Sequence, residues 1–114
     1  MIKNTIIETV EEVCSNITSQ DVEFKHQYRQ GVICYDRLAF KDEDSVPDLV
    51  TFGFIRGASE ALVESFIPTV ANQVVATQSR LFVPADYRPF VRVKGGDAND
   101  TLTLYVYGYV SDNG

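Results

Sequence analysis

Tryptophan is absent from this sequence, histidine and methionine occur once each, and cysteine occurs twice. Each scarcity excludes something. His26 lies between Phe24 and Tyr28 in an alternating segment, and no nucleophile or carboxylate pattern accompanies it. It therefore reads as a structural histidine of an inner face, and triad chemistry has no candidate members. Cys14 and Cys34 stand in no metal-binding spacing. With one histidine they fall short of the four ligands a mononuclear zinc site needs, and they read as buried thiols of a reducing compartment. Long apolar runs are missing too, so no segment could cross a membrane as a helix. The opening MIKNTIIETVEEV turns acidic after Lys3 and lacks a continuous apolar stretch, so it does not read as a secretory signal. The sequons at Asn16 and Asn99 then count as chance. Positive charge is also in deficit: ten Lys and Arg against sixteen Asp and Glu give a net charge of −6. Such a surface repels phosphate backbones, which argues against nucleic-acid binding.

What is present is β-sheet patterning. In Thr101 to Val110, Leu102, Leu104, Val106 and Val110 alternate with Thr101, Thr103, Tyr105, Tyr107 and Tyr109. A period of two with β-branched and aromatic types predicts a strand. Gly108 falls on the aliphatic side and marks a bulge or a close backbone approach. Upstream, Pro89, Val91 and Val93 share one face, and Arg88, Phe90, Arg92 and Lys94 the other. The turn-rich Gly95–Asp100 segment between the two runs predicts a β-hairpin with Lys94 facing Thr101, a register that keeps the two faces segregated. Val22, Phe24, His26 and Tyr28 alternate with Glu23, Lys25, Gln27 and Arg29 as a further half-buried strand closed by Gln30-Gly31. Val32 to Phe40 reads as a strand interrupted at Asp36. Leu49 to Ile55 is apolar on both faces apart from Thr51 and Gly53, as suits a central strand or one covered by a partner.

Two segments fit either helix or strand. Ile2, Ile6, Val10, Val13 and Ile17 fall at helical spacing, yet the stretch is rich in Thr, Val and Ile. Ala58 to Ile67 fits a short helix stopped by Pro68 or a strand, and Val70 to Val83 reads as extended. The expectation is a mainly β, antiparallel sandwich or jelly-roll-like domain over residues 1–114, in which residues 1–20 form either a short helix, a strand or an N-terminal arm.

No constellation carries catalysis, and none calls for a cofactor or metal. Asp97, Asn99 and Asp100 alternate as calcium ligands might, but lack the glycine and distal glutamate of a hand-type loop. They read as a solvated turn, and Asp42, Glu43, Asp44 and Asp48 as a solvated loop. The paired Gly95-Gly96 joins two strands and opens no helix, so it is no phosphate loop. The outer face of the expected hairpin stands out. It gathers Tyr105, Tyr107, Tyr109 and Phe90 beside Arg88 and Arg92, a composition typical of recognition surfaces. The alternative is that a second sheet of the same domain covers this face.

The strings GVICYDRLAFKDED (31–44) and LVTFGFIRG (49–57), followed by LFVPADYRPFVRVKGG (81–96) and LTLYVYG (102–108), give a layout that resembles small β-sandwich structural proteins of tailed bacteriophages, of the capsid-decorating or tail-accessory kind. The resemblance covers about residues 31–110 and is one of layout. It implies a non-enzymatic virion protein, assembled in the host cytoplasm. Its partners would be other virion proteins and copies of itself in a homo-oligomer, with no nucleic acid and no membrane. Arg88, Phe90, Arg92, Tyr105, Tyr107 and Tyr109 are then the expected interface residues. Two other readings stay open: a carbohydrate- or receptor-binding module, which the missing tryptophan disfavours, and a small acidic inhibitor of a host protein.

Overall fold

A computed structural model describes residues 3–26, 28 and 31–111, and among these there is no helix. Nine strands form among them: β1 (Lys3–Val13), β2 (Gln20–Glu23), β3 (Val32–Asp42), β4 (Leu49–Arg56), β5 (Ser59–Phe66), β6 (Val75–Ala76), β7 (Leu81–Pro84), β8 (Arg88–Lys94) and β9 (Thr101–Ser111). They make two packed sheets. Sheet A runs β1-β9-β3, with β6 and β7 both on the far side of β3; sheet B runs β2-β8-β4-β5. Every pairing is antiparallel. The chain changes sheet at every connection except β4–β5 and β6–β7, which is the winding of a jelly roll.

The alternation read from the sequence decides which face of each strand is inside. Leu102, Leu104 and Val106 of β9, Ile33, Tyr35, Leu38 and Phe40 of β3, and Ile6 of β1 form one wall of the core. Val91 and Val93 of β8, Val50, Phe52 and Phe54 of β4, and Val22 of β2 form the other. Aromatic rings bridge the layers, as where Tyr35 meets Phe54 at 5.3 Å between centroids. Burial pushes the Tyr35 hydroxyl well above its ordinary pKa, so this ring stays neutral in the core.

Both ambiguous segments are strands. Lys3–Val13 pairs along its whole length with β9, and Ser59–Phe66 pairs with β4. Their Thr, Val and Ile content prevails over helical spacing because each finds a sheet edge to extend. The N-terminal segment is thus built into sheet A as its edge strand. By register Glu8 and Glu12 fall on the same side of β1 as Ile6 and Val10, so acids share the inward side of that open edge. Met1 and Ile2 lie outside the described residues.

Three expectations need correction. The hairpin does not form: β8 lies in sheet B between β2 and β4, and β9 in sheet A between β1 and β3. Two strands with one apolar face each can bury those faces side by side or across a core, and alternation alone does not distinguish the two. Here Gly95–Asp100 crosses from one sheet to the other. The strand expected over Val22–Tyr28 ends at Glu23. Phe24 is still buried and its N–H donates to the Pro89 carbonyl at 3.0 Å, but His26 is exposed and Tyr28 half-buried. Gln27, Arg29 and Gln30 of that segment lie outside the described residues. Val70 to Val83 contains only β6 and β7, joined through Thr77–Arg80.

Gly108 is a close-approach position. Its strand meets β3 where the register shifts between Tyr35 and Arg37, with Asp36 the extra residue. A Cβ on Gly108 would lie 2.2 Å from the Cys34 carbonyl oxygen and 3.0 Å from Tyr35 Cα. The backbone of β3 cannot yield as a side chain would. Gly108→Ala is expected to destabilise the fold by about 2–3 kcal/mol, the scale of overpacking a tight interior, read as a lowered denaturant midpoint in equilibrium unfolding.

Candidate interaction surface

The sandwich has two outer faces, and the six residues expected to form one cluster divide between them. Tyr105, Tyr107 and Tyr109 point outward from sheet A. Arg88, Phe90 and Arg92 point outward from sheet B, on the opposite side of the molecule.

The sheet B group is internally saturated. Arg92 donates to Asp21 at 2.8 and 3.0 Å and to Glu60 at 3.1 and 2.7 Å, gripping a carboxylate on each side. Those two hydrogen-bonded acids hold the guanidinium well above its ordinary pKa. Reaching Glu60 means passing over β4 near Gly53, where a Cβ would meet the Ala61 carbonyl oxygen at 2.6 Å. The Phe90 ring lies beneath, 5.2 Å from the Arg92 guanidinium carbon, and is 0% exposed. Arg88 pairs with Glu23 at 3.3 Å and donates to the Phe24 carbonyl at 3.3 Å. Phe90 is therefore roofed by its own chain, and neither arginine reaches the tyrosines. A cation–π contact to tyrosine does occur elsewhere, with Arg56 4.9 Å from the Tyr87 ring.

The sheet A face is open. Three strands of 11 residues each, β1, β9 and β3, lie side by side. The register sets Thr5, Tyr109 and Cys34 in one row across the sheet, then Ile7, Tyr107 and Arg37, then Thr9, Tyr105 and Ala39, then Glu11, Thr103 and Lys41. Tyrosines thus run down the middle strand. Tyr107 is 43% exposed, Ile7 beside it 68%, and Phe82 of β7 65%. Cys34 and Ala39 are buried between their neighbours. A hydrogen bond with Cys34 pushes the Tyr109 hydroxyl up. Asp36 pairs with Arg80 at 2.7 Å, and Lys41 with Glu43 at 3.4 Å. Glu43 and then Tyr105 hold the Lys41 ammonium above its ordinary pKa. The sequence pointed to the tyrosines. Ile7 and Phe82 were missed because each belongs to a neighbouring strand, and only the register brings them alongside.

Two further features lie off these faces. A groove of about 320 Å³ opens between β5 and β7, lined by Phe54, Ala61, Val63, Leu81, Phe82 and Tyr87 among others. At one end of the sandwich, the loops read as two separate solvated segments converge. Asp42, Asp44 and Asp100 bring carboxylate oxygens within 4.8 Å of one another. Asp42 and Asp100 are buried, which corrects the expectation of solvated acids. Register explains the meeting, because Asp42 pairs with Leu102 and both loops therefore leave adjacent strands at one end. Oxygen donors of this kind suit a hard cation, but local donors already engage them. Asp42 accepts from the Asp44 and Ser45 N–H groups at 3.0 and 3.2 Å. Asp100 accepts from the Ser45 hydroxyl and from the Asp97 N–H. Below about pH 6 the buried Asp42 carboxyl keeps its proton and offers it to Asp100. Burial, then the hydrogen bond to Asp100, pushes Asp42 up to about 6. Burial also opposes ionisation of Asp100, but hydrogen bonds from Ser45, Asp42 and the Asp97 N–H outweigh it and hold that carboxyl below its ordinary value.

No family model matches the chain, and no curated protein matches it. Among solved structures, one titled "Crystal structure of PirA" aligns at 13% identity over 90% of this chain and 92% of that chain, with a TM-score of 0.46. A similarity that low carries no argument about function.

The shared proton makes stability depend on pH. A carboxyl raised above its ordinary 3.8 contributes stability that is complete below that value and is lost as pH rises through about 6. In Asp42→Asn the amide keeps the donated hydrogen bond to Asp100 and the acceptor for Asp44 and Ser45, without the titration. The variant should match the wild type near pH 4 and exceed it by on the order of 2 kcal/mol at pH 7. Denaturant unfolding across that range measures the difference, and parallel pH profiles for the two proteins would refute the shared proton.

Proposed function

We propose that this chain is a non-enzymatic structural protein, an accessory or decoration subunit that stabilises a virion lattice by protein–protein contacts. The observation that carries the reading is the open outer face of sheet A. Its middle strand presents Tyr105, Tyr107 and Tyr109, and exposed Ile7 and Phe82 flank them. Tyrosine supplies large contact area with few rotatable bonds and a polar tip that tolerates water, which is why it is enriched at interfaces. A jelly roll by itself implies no function. This face adds a broad surface whose centre is aromatic and whose rim is charged, the anatomy of a protein contact. Arg88, Phe90 and Arg92 leave the proposed contact, because sheet B engages them itself; Tyr105, Tyr107 and Tyr109 remain.

The apolar groove between β5 and β7 favours a second reading, a ligand-binding sandwich module, since concave sites with mainly apolar lining are where small ligands bind. The two readings share Phe82 but differ at Tyr107, which does not line the groove, and are separable there. Tyr107→Asp should abolish self-association, seen as a fall to monomer mass in light scattering across micromolar concentrations, with the unfolding midpoint within about 0.5 kcal/mol of wild type, as for most surface substitutions. Equal masses for wild type and variant at every concentration would overturn the assignment of this face and shift weight to the groove.

A further inference from the structure

We propose that the face of sheet A packs on the same face of a second copy, with the two-fold axis running parallel to the strands, so that Glu11 of each copy meets Lys41 of the other. This rests on the assembly reading above and adds the partner and its orientation.

Area permits it. Three 11-residue strands at about 3.4 Å per residue and about 4.8 Å between strands present a face of roughly 500 Å². Two such faces together bury about 1,000 Å², the lower bound for a specific interface.

Charge selects the orientation. Among the described outward side chains of these strands, the acid of the β1 flank is Glu11 and the cations of the β3 flank are Arg37 and Lys41. Asp36 and Arg80 pair with each other and cancel, and Glu43 pairs with Lys41, so with Arg37 the β3 flank stays net positive. Two sheets stacked face to face have two simple in-plane dyads. An axis across the strands lays β3 over β3 and β1 over β1, which gathers the cations of both copies. An axis along the strands lays β1 of one copy over β3 of the other and keeps each row at its own level. The rows then read Glu11 on Lys41, Thr9 on Ala39, Ile7 on the aliphatic stem of Arg37, and Thr5 on Cys34, with tyrosines on tyrosines along the middle. Opposite charges meet at the rim and apolar groups in the centre, as complementarity requires.

The test is charge reversal in the full chain, read as the dimer dissociation constant by sedimentation equilibrium. Glu11→Lys and Lys41→Glu, each alone, should weaken the dimer about tenfold, since each creates two like-charge contacts per dimer. Mixing the two variants should restore wild-type affinity, because in the heterodimer Lys at 11 meets Glu at 41 and the untouched Lys41 meets Glu11. Unfolding midpoints of the variants report any local effect of placing Glu at 41 beside Glu43. If Tyr107→Asp gives monomers while both reversals and their mixture behave as wild type, the face is right and this dyad is wrong. A wild-type chain that stays monomeric, or a Tyr107→Asp chain that assembles normally, overturns the proposal together with the reading it rests on.

Discussion

The fold depends on the placement of β9 between β1 and β3, because that strand is hydrogen-bonded on both sides for nearly all of its 11 residues. Side-chain direction alternates strictly along a strand, so a slip of one residue would exchange Leu102, Leu104 and Val106 for the tyrosines and turn the core outward. Hydrophobic burial opposes such a slip at about 25 cal/mol per Å² of apolar surface. Gly108 adds a steric constraint. It leaves room for the Cys34 carbonyl at the point where Asp36 bulges from β3, and the neighbouring position on either side is a tyrosine that could not fit there. The register that places the tyrosines outside is therefore fixed by both burial and shape.

The mainly β class was legible, and so was the apolar face of β2, β8 and β9, because alternation is a local property. Partner identity was not. Residues 88–94 and 101–110 have patterns that suit a hairpin and suit opposite walls of a sandwich equally well, and the six-residue connection permits either. The same limit explains the divided interface cluster. Phe90, Arg92 and Tyr107 each pointed outward as expected, but from different sheets. His26 was misplaced for another reason: the alternation from Val22 continues to Tyr28, yet the sheet ends at Glu23, and nothing local announces where a strand loses its neighbour. The close approach at Gly108 was legible, since a glycine in an aliphatic row packs nothing itself and weakens the strand unless neighbouring backbone fills the space.

The acidic loops show how a pairing reveals what spacing conceals. Asp42 and Asp100 are 58 positions apart in the numbering, and each looks like part of a solvated turn. Once β3 and β9 are neighbours, the loops at that end are forced together, and the carboxyls must either repel or share a proton. Burial and the hydrogen bond to Asp100 favour the second outcome for Asp42, while the Ser45 hydroxyl and the Asp97 N–H hold the charge on Asp100. The result ties the β3–β4 and β8–β9 connections to each other without a covalent bond, next to the buried thiol of Cys14, whose N–H donates to the Asp100 carbonyl.

The saturation of sheet B has a consequence for growth. Arg92 holds Asp21 and Glu60 across the strands and roofs Phe90, so this cluster offers a neighbour no unpaired charge, while the acids of β1 discourage strand addition at its edge. If its contacts lie on the sheet A face alone, such a molecule would pair and then stop. It would finish a surface or seal a boundary without itself propagating a fibre or a sheet, and any extended order it joined would be supplied by something else.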